Sequence, residues 1–244
     1  MHGTGCSVNL ARTAGGAASR QELGSICYAS GMKICFIGQK GLPLRDDSGG
    51  VERHVEELGA RLAAHGHEVI VYVRPRYMPA DAGVEREYRG MTLVRTPSWN
   101  TRATDTLTHV WSSVLDAARR DPDIIHFQGV GPSTLAWLAR LVAPRAKIVV
   151  TFHSIDRLHQ KWGSFARAYL RLGEWTALHS ADLTIAVSHG IQEYSRRTYG
   201  RDTLRIPNGA IIPTPPGSDF IGQWGLTPGG YILTVARLVR QKGI

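Results

Sequence analysis

At 244 residues the chain has room for one large α/β domain, or for one domain and part of another. Its 43% hydrophobic and 20% charged residues exclude wholesale disorder, and no apolar run reaches the roughly 18 residues that a membrane-spanning helix needs. The 29 Lys and Arg against 20 Asp and Glu leave a formal charge of +9, which favours anionic partners without choosing among phosphates, acidic membranes and nucleic acid.

Residues 1–31 show no hydrophobic rhythm and no apolar stretch of signal-peptide length, so they read as an unpacked extension or an upstream start ahead of Met32. Cys6, Cys27 and Cys35 have no C-x-x-C or other metal-ligand spacing, which predicts reduced thiols in a cytoplasmic compartment. From Lys33 onward, β-branched runs alternate with helical patterns. The candidate strands are Lys33–Gly38, Glu68–Val73, Met91–Arg95, Asp123–Phe127, Lys147–Phe152 and Asp182–Val187. The first helix is marked by Val51, Val55, Leu58 and Leu62 and stopped at Gly66. Further helices are predicted over Thr104–Arg120, Ser133–Val142, Trp162–His179 and Ile191–Tyr199. In the fourth helix Trp162, Phe165, Ala166, Tyr169 and Leu170 share a face that suits either a core or a membrane interface. The alternation predicts an α/β, Rossmann-like fold: a mostly parallel sheet with helices on both faces, over residues 32–207. The Pro- and Gly-rich stretch 208–228 reads as a linker, and 229–244 as the start of a second domain with Tyr231–Val235 as its first buried strand.

In an open parallel sheet ligands bind beyond the carboxyl ends of the strands, so the residues just past each strand are the candidates for chemistry. After the first strand, Gly49 and Gly50 open a helix whose free amides could meet an anion; a flexible turn is the alternative. The loop is neither a Walker A nor a G-x-G-x-x-G fingerprint. His126 and Gln128 share one face of the fourth strand, His153 follows the fifth, and Ser188 and His189 follow the sixth. Each histidine could instead be a satisfied structural group. Ala186–Gly190 has the outline of a nucleophile elbow, but no histidine follows His189 to complete a hydrolase triad in the usual chain order. Arg237 and Lys242 are two spaced cations after a strand end, suited to a diphosphate or to a solvated basic turn.

The segments MKICFIGQKGLP, SGGVERHVEELGARLAAHGHEV, DIIHFQGVGP, VVTFHSID, ADLTIAVSHGI, IPNG and VARLVRQKG occur in an order that resembles family-4 retaining glycosyltransferases, across residues 32–244. Within that family the chain is most similar to bacterial enzymes that add rhamnose or related sugars to cell-surface polysaccharides. The resemblance implies two facing Rossmann-like domains (the GT-B fold), with a nucleoside-diphosphate sugar between them and neither metal nor cofactor. It implies Gly49, Gly50, Gln128, Ser188, Arg237 and Lys242 as donor- or acceptor-binding positions, Arg237 and Lys242 holding the diphosphate. It implies His126 and His153 as catalytic-cleft residues. Gln128 stands where many members have the second histidine of His-x-His, and the family's second-domain glutamate pair lies beyond Ile244. The 244 residues are therefore expected to be an amino-terminal half that does not catalyse transfer alone. Expected partners are a nucleotide sugar and a glycan or lipid-linked acceptor. The expected location is cytoplasmic, or peripheral on the inner membrane face through the 157–175 helix. Nucleic acid is not expected, because the basic residues are scattered rather than striped. The alternative is a non-catalytic Rossmann-like domain that binds an anionic ligand.

Overall fold

The side chains of the first strand alternate between two cores, and that alternation sets the architecture. In Lys33–Ile37 (β1), Cys35 and Ile37 pack into one hydrophobic cluster while Ile34 and Phe36 pack into another. A strand covered on both faces belongs in the middle of a parallel sheet with helices on each side. The computed structural model describes residues 31–235 apart from 47, 79–82, 100, 102–103, 159–162 and 211–218. In chain order the further strands are Glu68–Val73 (β2), Glu85–Tyr88 (β3), Met91–Arg95 (β4), Ile124–Gln128 (β5), Lys147–Phe152 (β6), Leu183–Ala186 (β7) and Leu204–Arg205 (β8). The helices are Gly50–Ala64 (α1), Asp105–Arg119 (α2), Ala136–Val142 (α3), Ser164–His179 (α4), His189–Tyr199 (α5) and Asp219–Gly222 (α6). The eight strands run in the order β3-β4-β2-β1-β5-β6-β7-β8, with every pairing parallel except β3 with β4. This is the predicted Rossmann-like α/β fold.

Local chemistry fixes the helix ends nearest the site. Gly49, the residue before α1, offers no capping side chain; instead Glu52 accepts a hydrogen bond from the Gly49 amide at 2.7 Å and one from the Lys40 amide at 3.0 Å. One buried carboxylate thereby joins the loop after β1 to the first turn of α1, where a negative charge also suits the helix dipole. At α5 the Ser188 hydroxyl accepts from the Ile191 amide at 3.3 Å, and Gly200 ends the helix in a left-handed conformation.

Three features differ from the sequence expectations. The edge strand β3 has the sequence EREY, with Glu85, Arg86 and Glu87 all exposed, so it carries no hydrophobic alternation to betray it. It pairs with β4 through a two-residue turn at Arg89 and Gly90, both at positive φ, and its charges blunt the sheet edge. Tyr231–Val235, expected as a buried strand, forms no ladder with the described residues and is exposed, Ile232 being 97% accessible. A strand without a neighbour has nothing to hydrogen-bond.

The α4 face that suited either a core or a membrane interface is divided: Tyr169 and Leu170 take the core alternative and pack with Val130, Phe152 and Ile191, while Phe165 does not join them. What remains outside is Phe165, Leu172 and Trp175. Trp162, Arg237, Lys242 and residues 1–30 lie outside the described residues. Among those described, no helix is long and apolar enough to cross a membrane.

Candidate functional site

The strand order reverses at β1. The chain builds outward through β2 and β4 on one side, then returns to lay β5, β6 and β7 on the other. A reversal of this kind opens a crevice between the loops after β1 and β5, at the carboxyl edge of the sheet. Gly49 and Gly50 close the first of those loops, and Gln128 ends β5.

Three imidazoles gather at this edge. His126 and Gln128 lie on the side of β5 away from Ile125 and Phe127, which fill the opposite core. His153 leaves the end of the neighbouring β6, and its Nε2 lies 3.0 Å from Gln128 Oε1. With the Gln128 carbonyl accepting, the His153 proton sits on Nε2. The third ring, His54, stands one turn into α1 and meets His153 edge-on at 4.9 Å between centroids. His126 is deeper: Nε2 is 2.8 Å from Thr151 Oγ1, and its ring leans on Phe36 at 5.1 Å. Two buried polar atoms of the group, Gln128 Nε2 and His54 Nε2, have no hydrogen-bond partner. A side chain added at Gly50 would meet no atom within 4 Å, so the space before α1 is open.

Burial decides the charge of these rings. It lowers His126 to about 3 and His153 to about 4, with the neighbouring histidines adding to the effect, and it lowers His54 against a raising contribution from Asn208. At neutral pH the cluster is therefore uncharged imidazole. Across the sheet, burial and Arg74 lower His109 to about 4. A histidine depressed below its free value of 6.5 binds fewer protons folded than unfolded, so its contribution to stability is present at neutral pH and is lost as the pH falls from 6.5 towards 4. The unfolding free energy from urea denaturation is expected to fall between neutral pH and pH about 4.5, by several kcal/mol in all. A flat profile over that window would mean that these rings are not buried neutral.

The loop that carries His153 is pinned from behind. Arg157 Nε donates to the fully buried Glu174 Oε2 at 3.0 Å, and the same oxygen accepts from Tyr194 at 2.8 Å and Tyr199 at 2.5 Å. Glu174 thus ties the β6 loop to α4 and α5, a role that its position in the sequence does not announce.

The structure brings together Gly49, Gly50, His126, Gln128 and His153 of the sequence-derived candidates. The Ser188 hydroxyl is taken up in capping α5. His54 was missed: on an amphipathic helix it reads as one polar residue among several, and only the arrangement of α1 over the sheet brings it to His153. No group of three or more His, Cys, Asp or Glu among the described residues could hold a metal ion. Cys35 is free and fully buried, its thiol pushed up to about 12, too high for a reactive thiolate.

The family described as Glycosyltransferase Family 4 matches residues 48–211, more than half of the chain and all of this edge except the loop before Ser48. The chain belongs to glycosyltransferase family 4. A search of curated proteins finds no match. Among solved structures, this family-4 chain is similar to sucrose-phosphate synthase from Thermosynechococcus elongatus, with 22% identity and a TM-score of 0.61 over 80% of this chain and 53% of that one. Another structure of the same enzyme gives 19% identity and a TM-score of 0.51 over 79% of this chain and 95% of that one. At these identities the likeness shows the shared fold. The family-4 chain spans about half the length of the first of these chains.

Proposed function

We propose that the protein is a retaining, metal-independent glycosyltransferase. It moves a hexosyl or rhamnosyl unit from a nucleoside-diphosphate sugar to a glycan or lipid-linked acceptor in cell-surface polysaccharide synthesis. The observation that carries this reading, beside family membership, is the pair of unpartnered buried atoms, Gln128 Nε2 and His54 Nε2, flanking His153 in the switch-point crevice. Leaving buried polar atoms unpaired costs about 1–3 kcal/mol each, and the hydroxyls of a sugar supply both donors and acceptors. Neutral imidazoles suit such a ligand better than charged ones would.

In this reading the bond from the anomeric carbon to the diphosphate breaks through an oxocarbenium-like state. The acceptor oxygen bonds to the same face of that carbon, and its proton passes to the departing phosphate oxygen. His153 and His54 hold sugar hydroxyls with Gln128, His126 supports the edge through Thr151, and the Gly50 amide faces an anion at the start of α1. Arg237 and Lys242 stabilise the departing diphosphate. Peripheral membrane contact, where a lipid-linked acceptor requires it, falls to Phe165, Leu172 and Trp175, exposed on α4 beside Arg167 and Arg171.

The ring resonances of His54 and His153 report on the crevice directly. Titration with nucleotide sugars and oligosaccharides is expected to shift them saturably, while His65 and His179 at helix ends stay put. No saturable shift with any of these ligands would overturn the reading. Labelled-sugar transfer then separates an enzyme from a domain that merely binds: shifts without transfer in any form of the protein favour the second.

A further inference from the structure

The loops after β1 and β2 build a second, basic corner beside the glycine loop, which the histidine crevice does not use. They are locked together. Gln39 Nε2 donates to Tyr72 O at 2.6 Å, the Arg74 amide donates to Lys40 O at 3.0 Å, and Arg45 Nη1 donates to Arg76 O at 3.4 Å. Gly41 completes the joint, since a side chain there would come within 2.5 Å of Tyr77 Cβ.

Four cations are carried on this joint. The Lys40 ammonium and the Arg76 guanidinium lie 5.9 and 5.0 Å from the centre of the same Tyr77 ring. Arg74 and Arg76 both reach one oxygen of Asp105, Oδ2, each at 2.9 Å. Arg45 is the fourth. Among the described residues, Glu52 is already taken by two backbone amides and Asp46, beside Arg45, is exposed. Arg74 is 7% exposed, and its Nε is buried without a hydrogen-bond partner, as is Asp105 Oδ1. A buried guanidinium N–H left unpaired is costly, and an acceptor-rich anion relieves the cost.

We propose that Lys40, Arg45, Arg74 and Arg76 form a binding site for a phosphate group of a substrate. Phosphate matches the site chemically: it carries up to two negative charges and several acceptor oxygens, and guanidinium forks address it in pairs. The corner lies at the carboxyl ends of β1 and β2, joined through Lys40 and Glu52 to the residue that opens α1, so a group held there borders the crevice. That the phosphate belongs to a sugar-transfer substrate rests on the transferase reading; the affinity of the corner for phosphate does not.

Titration of the intact chain with inorganic phosphate at low salt, followed by calorimetry or phosphorus NMR, tests the site without any activity assay. Saturable binding is expected. Arg76→Ala and Lys40→Ala should each weaken it about tenfold or more, as loss of a charge-assisted hydrogen bond predicts. Arg86→Ala, on the exposed edge strand β3, should leave it unchanged, and circular dichroism and urea midpoints confirm that the variants remain folded. Competition with a monosaccharide phosphate and with a nucleoside diphosphate then separates the sources. Stronger displacement by the first places the bound phosphate on the acceptor, and stronger displacement by the second places it on the donor. No saturable phosphate binding, or equal binding by the wild type and both corner variants, overturns the proposal. Either of those results leaves the crevice reading intact, since that reading is scored by the His54 and His153 resonances.

Discussion

Gly173→Ala is expected to destabilise the folded chain by about 3 kcal/mol or more, the upper range for overpacking a close-packed interface. Gly173 lies on the inner face of α4, where the helix rests directly on the turn after β5. A β-carbon there would stand 2.0 Å from the Val130 carbonyl oxygen and 2.9 Å from its carbon, with Thr134 Cγ2 at 3.1 Å. The first two are backbone atoms and cannot rotate aside. The helix is held at this distance by polar contacts that depend on it: Thr176 Oγ1 donates to Ser133 O at 2.7 Å, and Tyr169 donates to Gly131 O at 3.1 Å. Relief of the clash would lift α4 and break these bonds as well. For a domain of this size 3 kcal/mol corresponds to a melting temperature lower by roughly 6–12 °C. Gly131→Ala, in the same turn, is the control. Its added carbon would find only Leu170 Cδ2 at 3.8 Å, and its backbone is already helical, so little change is expected. Urea unfolding of both variants decides, and a Gly173→Ala midpoint equal to the wild type would refute the close approach. The effect should also reach the site, because the turn under α4 directly follows Gln128.

The sequence carried the central architecture where burial is two-sided. Strands such as β2 and β6 are continuous apolar runs, so their bounds are legible residue by residue. The edge strand β3 was illegible for the opposite reason. It faces solvent, its charges serve to block further pairing, and only the turn at Arg89 and Gly90 marks it. Of the site, the strand-end residues His126, Gln128 and His153 could be read because the rule that ligands bind beyond strand ends turns a one-dimensional position into a place. Helix residues have no such rule. His54 becomes a site residue only through the packing of α1, which brings its ring to His153. The basic corner is similar: Lys40 and Arg76 are 36 positions apart in the sequence, and parallel pairing of β1 with β2 makes their loops neighbours. Buried pairs that stabilise the scaffold escape sequence reading as well. Glu174 looks like a surface residue of an amphipathic helix until Arg157, Tyr194 and Tyr199 are seen to converge on it.

In any form of the protein that transfers sugar, His153→Ala is expected to lower turnover by about 10²-fold or more, the scale on which a positioned imidazole acts. The cost to the fold should be small by comparison, about 1 kcal/mol for one side-chain hydrogen bond at a partly open edge. The geometry gives the reason for the contrast. Among the described residues, His153 is joined to the scaffold by a hydrogen bond to Gln128 and an edge-on contact with His54, yet it sits first past β6, where a ligand in the crevice would pass. Its removal frees both ends of the Gln128 amide, whose Nε2 already lacks a partner, and lets water into the place of a neutral ring. The kinetic pattern discriminates among roles. A ring that holds a sugar hydroxyl equally in the ground and transition states would raise KM and leave kcat alone; one that engages as charge develops lowers kcat. We expect the second: the one proton of the neutral ring is held on Nε2 by Gln128, so Nδ1 stays an acceptor throughout the neutral range, and its bond from an attacking hydroxyl strengthens as that oxygen gains positive charge. His153→Gln, which keeps an amide acceptor of similar reach, should then recover about tenfold over His153→Ala. The rate of the wild type should be flat from neutral pH down to the limit set by the histidine-linked loss of stability. Wild-type turnover in His153→Ala with a normal urea midpoint would return this residue to a structural part and leave the crevice without its proposed centre.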